Sequence, residues 1–162
     1  MPAEHVVLGP LYHGTTDHFD TFDPGKTFDG GLYFTDNLEN AIEYGAMRHH
    51  DRPIFVVEVE VMLSSPLLID FEGRVFEESV QKLLEEKIRE GKESGRFDGI
   101  ILENIDDLAY SQENRMVIAF RGNQIRIVSR RPAIDLIEGL ECMQAEKSEG
   151  DSDSRCVRRD FA

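Results

Sequence analysis

The chain has 162 residues, 40% of them hydrophobic, which suits one domain around one core and excludes a disordered chain. Its formal net charge of −14 argues against a protein that grips nucleic acid through a general basic surface. No run approaches the roughly 20 apolar residues of a bilayer span, and the opening MPAEHVVLGP has neither the basic nor the apolar region of a secretory leader, so the expectation is a cytoplasmic protein, of a producing or a target cell, with no membrane partner.

In chain order, HVVL and PLYHG predict a first strand that ends at His13. HFDTFDPGKTFDGG carries Pro-Gly and Gly-Gly and reads as a loop, with Phe19, Phe22 and Phe28 pinning it to the core. GLYFT is a short strand. DNLENAIEYGAMRHH predicts a helix capped by Asp36 or Asn37, with Leu38, Ala41, Ile42 and Gly45 on one face. PIFVVEVEVML alternates Val57, Val59 and Val61 with Glu58 and Glu60, the mark of a strand with one wet face. SSPLLIDF continues extended. Val75, Phe76, Val80, Leu83, Leu84 and Ile88 recur at helical spacing and predict a helix over 74–90, ended by Gly91 or Gly95. FDGIILEN is a buried strand. NRMVIAFRGNQIRIVSRR predicts two strands around Arg121–Asn123, as a hairpin or one kinked strand. PAIDLIEGLECMQ begins a short helix. From about Ala145 the chain has little to bury and reads as a flexible tail or an expression remnant. The expected organisation is one α+β domain over 1–144, richer in strands than helices, and a polar tail over 145–162.

Few residues suggest chemistry on their own. Cys142 and Cys156 lack metal-ligand spacing and read as free thiols of a reducing compartment. His49, His50 and Asp51 are adjacent at a helix end, where side chains do not converge on one ion, so no metal is expected. Arg115, Arg121, Arg126, Arg130 and Arg131 read as solvated strand residues. His13 is more informative. It follows an apolar strand and precedes Gly14, and a glycine lets a ligand approach the backbone closely.

The strings around His13 go further. LYHGTT followed by GGLYFTDNLENAIEYG resembles the NAD-binding half of the ADP-ribosyltransferase superfamily, in its diphtheria-toxin and poly(ADP-ribose) polymerase branch. That branch has a strand ending His-Gly-Ser/Thr, then Gly-x-Tyr-Phe leading into a helix that ends Ala-x-x-Tyr. FDGIILEN and the Asn-Gln-Ile of MVIAFRGNQIRIV are similar to small bacterial and phage members. The resemblance implies a split mixed β-sheet core with flanking helices, and NAD as co-substrate. It implies that His13 bonds the nicotinamide ribose and that the Gly14 backbone holds the carboxamide. By the same carry-over Thr15 reaches a ribose hydroxyl, Tyr33 walls the nicotinamide pocket and Tyr44 stacks on the ring. Two aromatic faces suit a flat cation.

Two positions depart from the family's pattern. A serine that bonds the carboxamide in relatives is Ala41 here. The family's glutamate falls on Met116, and the nearest glutamate is Glu113. Strand alternation places Met116, Ile118 and Phe120 on one face and Glu113 on the other unless a bulge or loop end re-aims it. Either Glu113 does the glutamate's work, the preferred reading, or the chemistry borrows an acidic group from the substrate. Asp106 and Asp107 are reserve candidates. The expected activity is mono-ADP-ribosylation of a macromolecule, a protein before a nucleic acid, by a toxin or effector for which an antitoxin or immunity protein is a plausible partner. Two alternatives stay open: an inactive NAD- or ADP-ribose-binding module, and an NAD-dependent RNA 2′-phosphotransferase or RNA-modifying relative.

Overall fold

The computed structural model describes residues 4–48, 51–106 and 114–137. The chain alternates strands and helices in the order β1 (Val6–Thr15), β2 (Leu32–Thr35), α1 (Leu38–Arg48), β3 (Phe55–Leu63), β4 (Pro66–Asp70), α2 (Glu78–Ser94), β5 (Gly99–Ile105), β6 (Asn114–Ala119) and β7 (Ile125–Pro132). The seven strands form one sheet in the order β4-β5-β6-β2-β1-β3-β7. Only β4 and β5 run parallel; the other pairings are antiparallel. The fold is therefore α+β with a mixed sheet, as the resemblance implies.

The centre of the sheet is a seam. Strand β1 pairs with β3 along most of its length, and β2 pairs with β6 along all of its own. Between β1 and β2 a single register pair, Tyr12 with Thr35, joins the two halves. One block is β4-β5-β6-β2 and the other β1-β3-β7, and the space along their seam holds the candidate site.

Each face of the sheet has its own core. On one, Val80, Leu84 and Ile88 of α2 pack on Ile100, Leu102, Met116, Ile118 and Phe120. Their spacing in α2 is the apolar stripe read from the sequence. The helix begins at Glu78 rather than 74. Val75 bridges to Asp106 instead and is exposed, so a short backbone pairing outcompetes the first predicted turn. Its C-terminus is Gly95, whose φ of 67° is the left-handed cap that glycine adopts without strain. On the other face Leu11, Phe22, Leu32, Phe34, Val57, Val59 and Val61 form the second cluster. Alternation in β3 is as expected: the valines are buried, while Glu60 pairs with Arg126 at 2.6 Å.

Helix α1 lies against β1. Asn37 caps it, its Oδ1 accepting the Asn40 N–H at 3.0 Å. Asp36 instead accepts the Arg115 N–H at 3.1 Å and ties the end of β2 to the start of β6. The two strands expected around Arg121–Asn123 form, but as neither a hairpin nor one kinked strand. The two strands lie in different halves of the sheet, β6 between β5 and β2 and β7 on the outer edge beside β3. Gln124 makes that parting possible. Its buried Oε1 accepts the Phe120 and Arg121 N–H groups, both at 2.9 Å, and its Nε2 donates to the Asp98 carbonyl at 2.8 Å. Residues 133–137 are helical. The tail over 145–162, both cysteines, His49 and His50 lie outside the described residues. Among the described residues no helix is long and apolar enough to cross a membrane.

Candidate active site

His13 lies at the seam. Its Nδ1 is 3.1 Å from the Tyr33 carbonyl oxygen across to β2. A carbonyl only accepts, so the bond requires Nδ1 to carry a proton, and in the neutral ring Nε2 is then the acceptor nitrogen. Phe22, Phe34 and Phe19 surround the imidazole, their ring centroids 5.3, 5.8 and 6.3 Å away. The bond to Tyr33 and the three aromatic walls hold the ring in place.

A cavity of about 690 Å³ opens beside it, lined by His13, Gly14, Thr15, Tyr33, Tyr44 and Met116 among others. All five expected NAD-contacting residues reach this one cavity. Glu113 and Asp107 lie outside the described residues. Asp106 is not among the residues that line the cavity; its backbone pairs with Arg74 and Phe76, and its carboxylate Oδ1 is buried without a hydrogen-bond partner.

Gly14 has a packing reason for being glycine. A Cβ built on it would stand 1.7 Å from the Ala41 carbonyl oxygen, so α1 presses directly on the β1 backbone. Ala41 itself is buried on the cavity wall, where its methyl offers no hydroxyl. Thr15 is also buried, and its Oγ1 accepts the Asp17 N–H at 3.0 Å, turning the chain out of β1.

Tyr33 belongs to a network that the sequence did not reveal. Its hydroxyl donates to Asp29 Oδ2 at 2.5 Å, and Gln81 Nε2 of α2 donates to the same oxygen at 3.2 Å. The Gly31 N–H donates to Asp29 Oδ1 at 2.9 Å. Asp29 and Gln81 both line the cavity. Burial first, and then the bond to Asp29, raise the Tyr33 phenol well above its usual range, so it is a neutral donor. The only signal for Asp29 in the sequence is its place two residues before a glycine in an Asp-rich loop, which fits an ordinary turn equally well.

The loop from 17 to 30 covers the cavity. Arg130 of β7 fastens its start, donating to the Phe19 carbonyl with its guanidinium carbon 5.4 Å from the centroid of the Phe19 ring. Phe19 and Phe22 pack on the core as expected. Phe28 does not: it is 91% exposed at the cavity mouth. Asp29, the next residue, lines the cavity too but is half-buried, and Gly30 follows with a φ of 78°.

At the glutamate position of β6 stands Met116, 2% exposed and packed with the α2 face. Among the described residues no group of three His, Cys, Asp or Glu side chains is placed to hold a metal ion.

The fold and the residues gathered at its seam define an ADP-ribosyltransferase-type domain. Residues 8–132 match the family of ADP-ribosyltransferases in polyvalent proteins, from β1 through β7, and the chain belongs to that family. No curated protein matches it.

Proposed function

We propose that this protein is an NAD-dependent mono-ADP-ribosyltransferase that breaks the nicotinamide–ribose bond and transfers ADP-ribose to a macromolecule. The observation that carries the reading is the convergence of His13, Gly14, Tyr33 and Tyr44 on one cavity at the seam. Its volume falls within the roughly 300–1,000 Å³ of small-molecule sites. The donor set suits NAD: flat aromatic walls for the nicotinamide ring and main-chain polar groups for its amide. Bound there, NAD supplies an activated sugar whose leaving group is already cationic.

The chain's own residues then do three things. His13, locked as the Nδ1–H tautomer, turns its acceptor Nε2 toward a ribose hydroxyl and fixes the sugar. Tyr33 and Tyr44 hold the nicotinamide ring between them, Tyr33 as a neutral phenol whose hydroxyl is committed to Asp29. Gly14 meets the carboxamide through its backbone, and Ala41 adds no hydroxyl to help it. Positioning of this kind removes several kcal/mol of barrier, and the loop over the mouth shields the reacting bond from water.

The acceptor is a protein in this reading, because an acidic chain of net charge −14 repels a phosphate backbone. A toxin or effector role fits the small size of the domain. Incubation with labelled NAD and a cell lysate should mark discrete protein bands, and His13→Ala should abolish them. Stabilisation by NAD without any labelling or nicotinamide release would mark a binding module instead.

A further inference from the structure

An ADP-ribose transfer places positive charge on the sugar, and a nearby carboxylate lowers that barrier. The β6 position that faces the cavity offers a thioether, Met116, buried with α2. The carboxylates of described residues that do line the cavity are Asp17, Asp23 and Asp29. Asp17 and Asp23 are exposed, where solvent screens a charge. Asp29 is half-buried and fixed from three sides.

Its placement relative to Met116 follows from the sheet. Tyr33 pairs with Ile118, and Thr35 with Met116. Since side chains alternate, Tyr33 and Met116 share the face covered by α2. Both pack on the same cluster there, and Gln81 of α2 lines the same cavity. Asp29 is bonded to Tyr33 and Gln81, so it stands on the Met116 side of the cavity.

We propose that Asp29 is the catalytic carboxylate of this protein, replacing from the loop before β2 the acidic group that β6 lacks at Met116. The inference rests on the transferase reading above. An ionised carboxylate has about four acceptor sites. Tyr33 and Gln81 use both on Oδ2, and Gly31 uses one on Oδ1, so one lone pair on Oδ1 remains for a ribose hydroxyl. The three donors hold the charge in place without neutralising it, which is the preorganisation that makes a fixed charge effective.

The step balances simply. The bond from ribose C1′ to the nicotinamide nitrogen breaks, and its electron pair leaves on the nitrogen, which becomes neutral. The positive charge passes to the sugar beside Asp29. The acceptor's nucleophilic atom, or water in its absence, forms the new bond to C1′ and releases its proton.

The test is nicotinamide release from NAD in buffer, which needs no acceptor, by wild type, Asp29→Asn, Tyr33→Phe and the double variant Asp29→Asn with Met116→Glu. Asp29→Asn keeps the shape and an acceptor for Gly31 but loses the charge. It should lower release about 100-fold or more while NAD still raises its melting temperature. Tyr33→Phe should cost less than a tenth as much, and the double variant should recover at least about tenfold over Asp29→Asn. Asp29→Ser repeats the comparison if the asparagine variant melts below assay temperature. Release by a folded Asp29 variant within about threefold of an active wild type overturns the proposal and leaves the transferase reading standing. So does a Tyr33→Phe loss equal to that of Asp29→Asn, which would make Asp29 a positioning residue acting through the phenol. A wild type that releases no nicotinamide overturns the transferase reading and this assignment together.

Discussion

Gly14 illustrates how one residue serves two demands. Its backbone lines the cavity, and its missing side chain lets α1 close on β1. Gly14→Ala sets a methyl 1.7 Å from a carbonyl oxygen that a helix holds fixed. A loss of about 3 kcal/mol or more in urea denaturation is expected, at the upper end for a single substitution. Tyr33 makes a different prediction. A tyrosine ordinarily ionises near pH 10, and burial with the Asp29 bond raises this one. Folding therefore favours the neutral phenol, and that stabilisation is intact below about pH 10 and drains away only as pH climbs above it. Alkaline titration followed by phenolate absorbance should show a late fraction that Tyr33→Phe removes. His13 and Tyr33 were legible in the sequence because each sits inside a short string whose neighbours are themselves constrained. Asp29 was not. Its role depends on Gln81, fifty-two positions away, and no local pattern encodes that meeting.

Among the elements, those with a strong internal period were read well. The valine alternation of β3 and the stripe on α2 survive in the fold because burial on one face is what sets both periods. The misreadings came where pairing partners are distant. Strands β6 and β7 are neighbours in sequence and look like a hairpin, yet β2 and β3 take them as partners instead. The turn between them is clamped by Gln124, just past the expected Arg121–Asn123. Gln124→Ala would orphan two N–H groups and one carbonyl, each costing about 1–3 kcal/mol when left unpaired in the interior. A net loss of about 2–4 kcal/mol in chemical denaturation is expected once partial rescue by water is allowed for, with the sheet still formed in far-ultraviolet circular dichroism. A change below about 0.5 kcal/mol would show that the turn holds without its clamp.

For the whole molecule, the seam is the decisive feature. Two sheet blocks joined at one register pair leave a cavity between them, and the histidine–carbonyl bond across the seam fixes its shape. The loop from 17 to 30 lines that cavity, fastened by Arg130 at one end and exposing Phe28 at the other. The function proposed for this cavity is the turnover of NAD. The most direct measurement is the rate of nicotinamide release by the wild-type protein beside His13→Ala, both shown to be folded by the same melting transition. Release by the wild type that falls at least about 100-fold in His13→Ala is the result expected. Equal rates in the two proteins, or no release by the wild type, would contradict it.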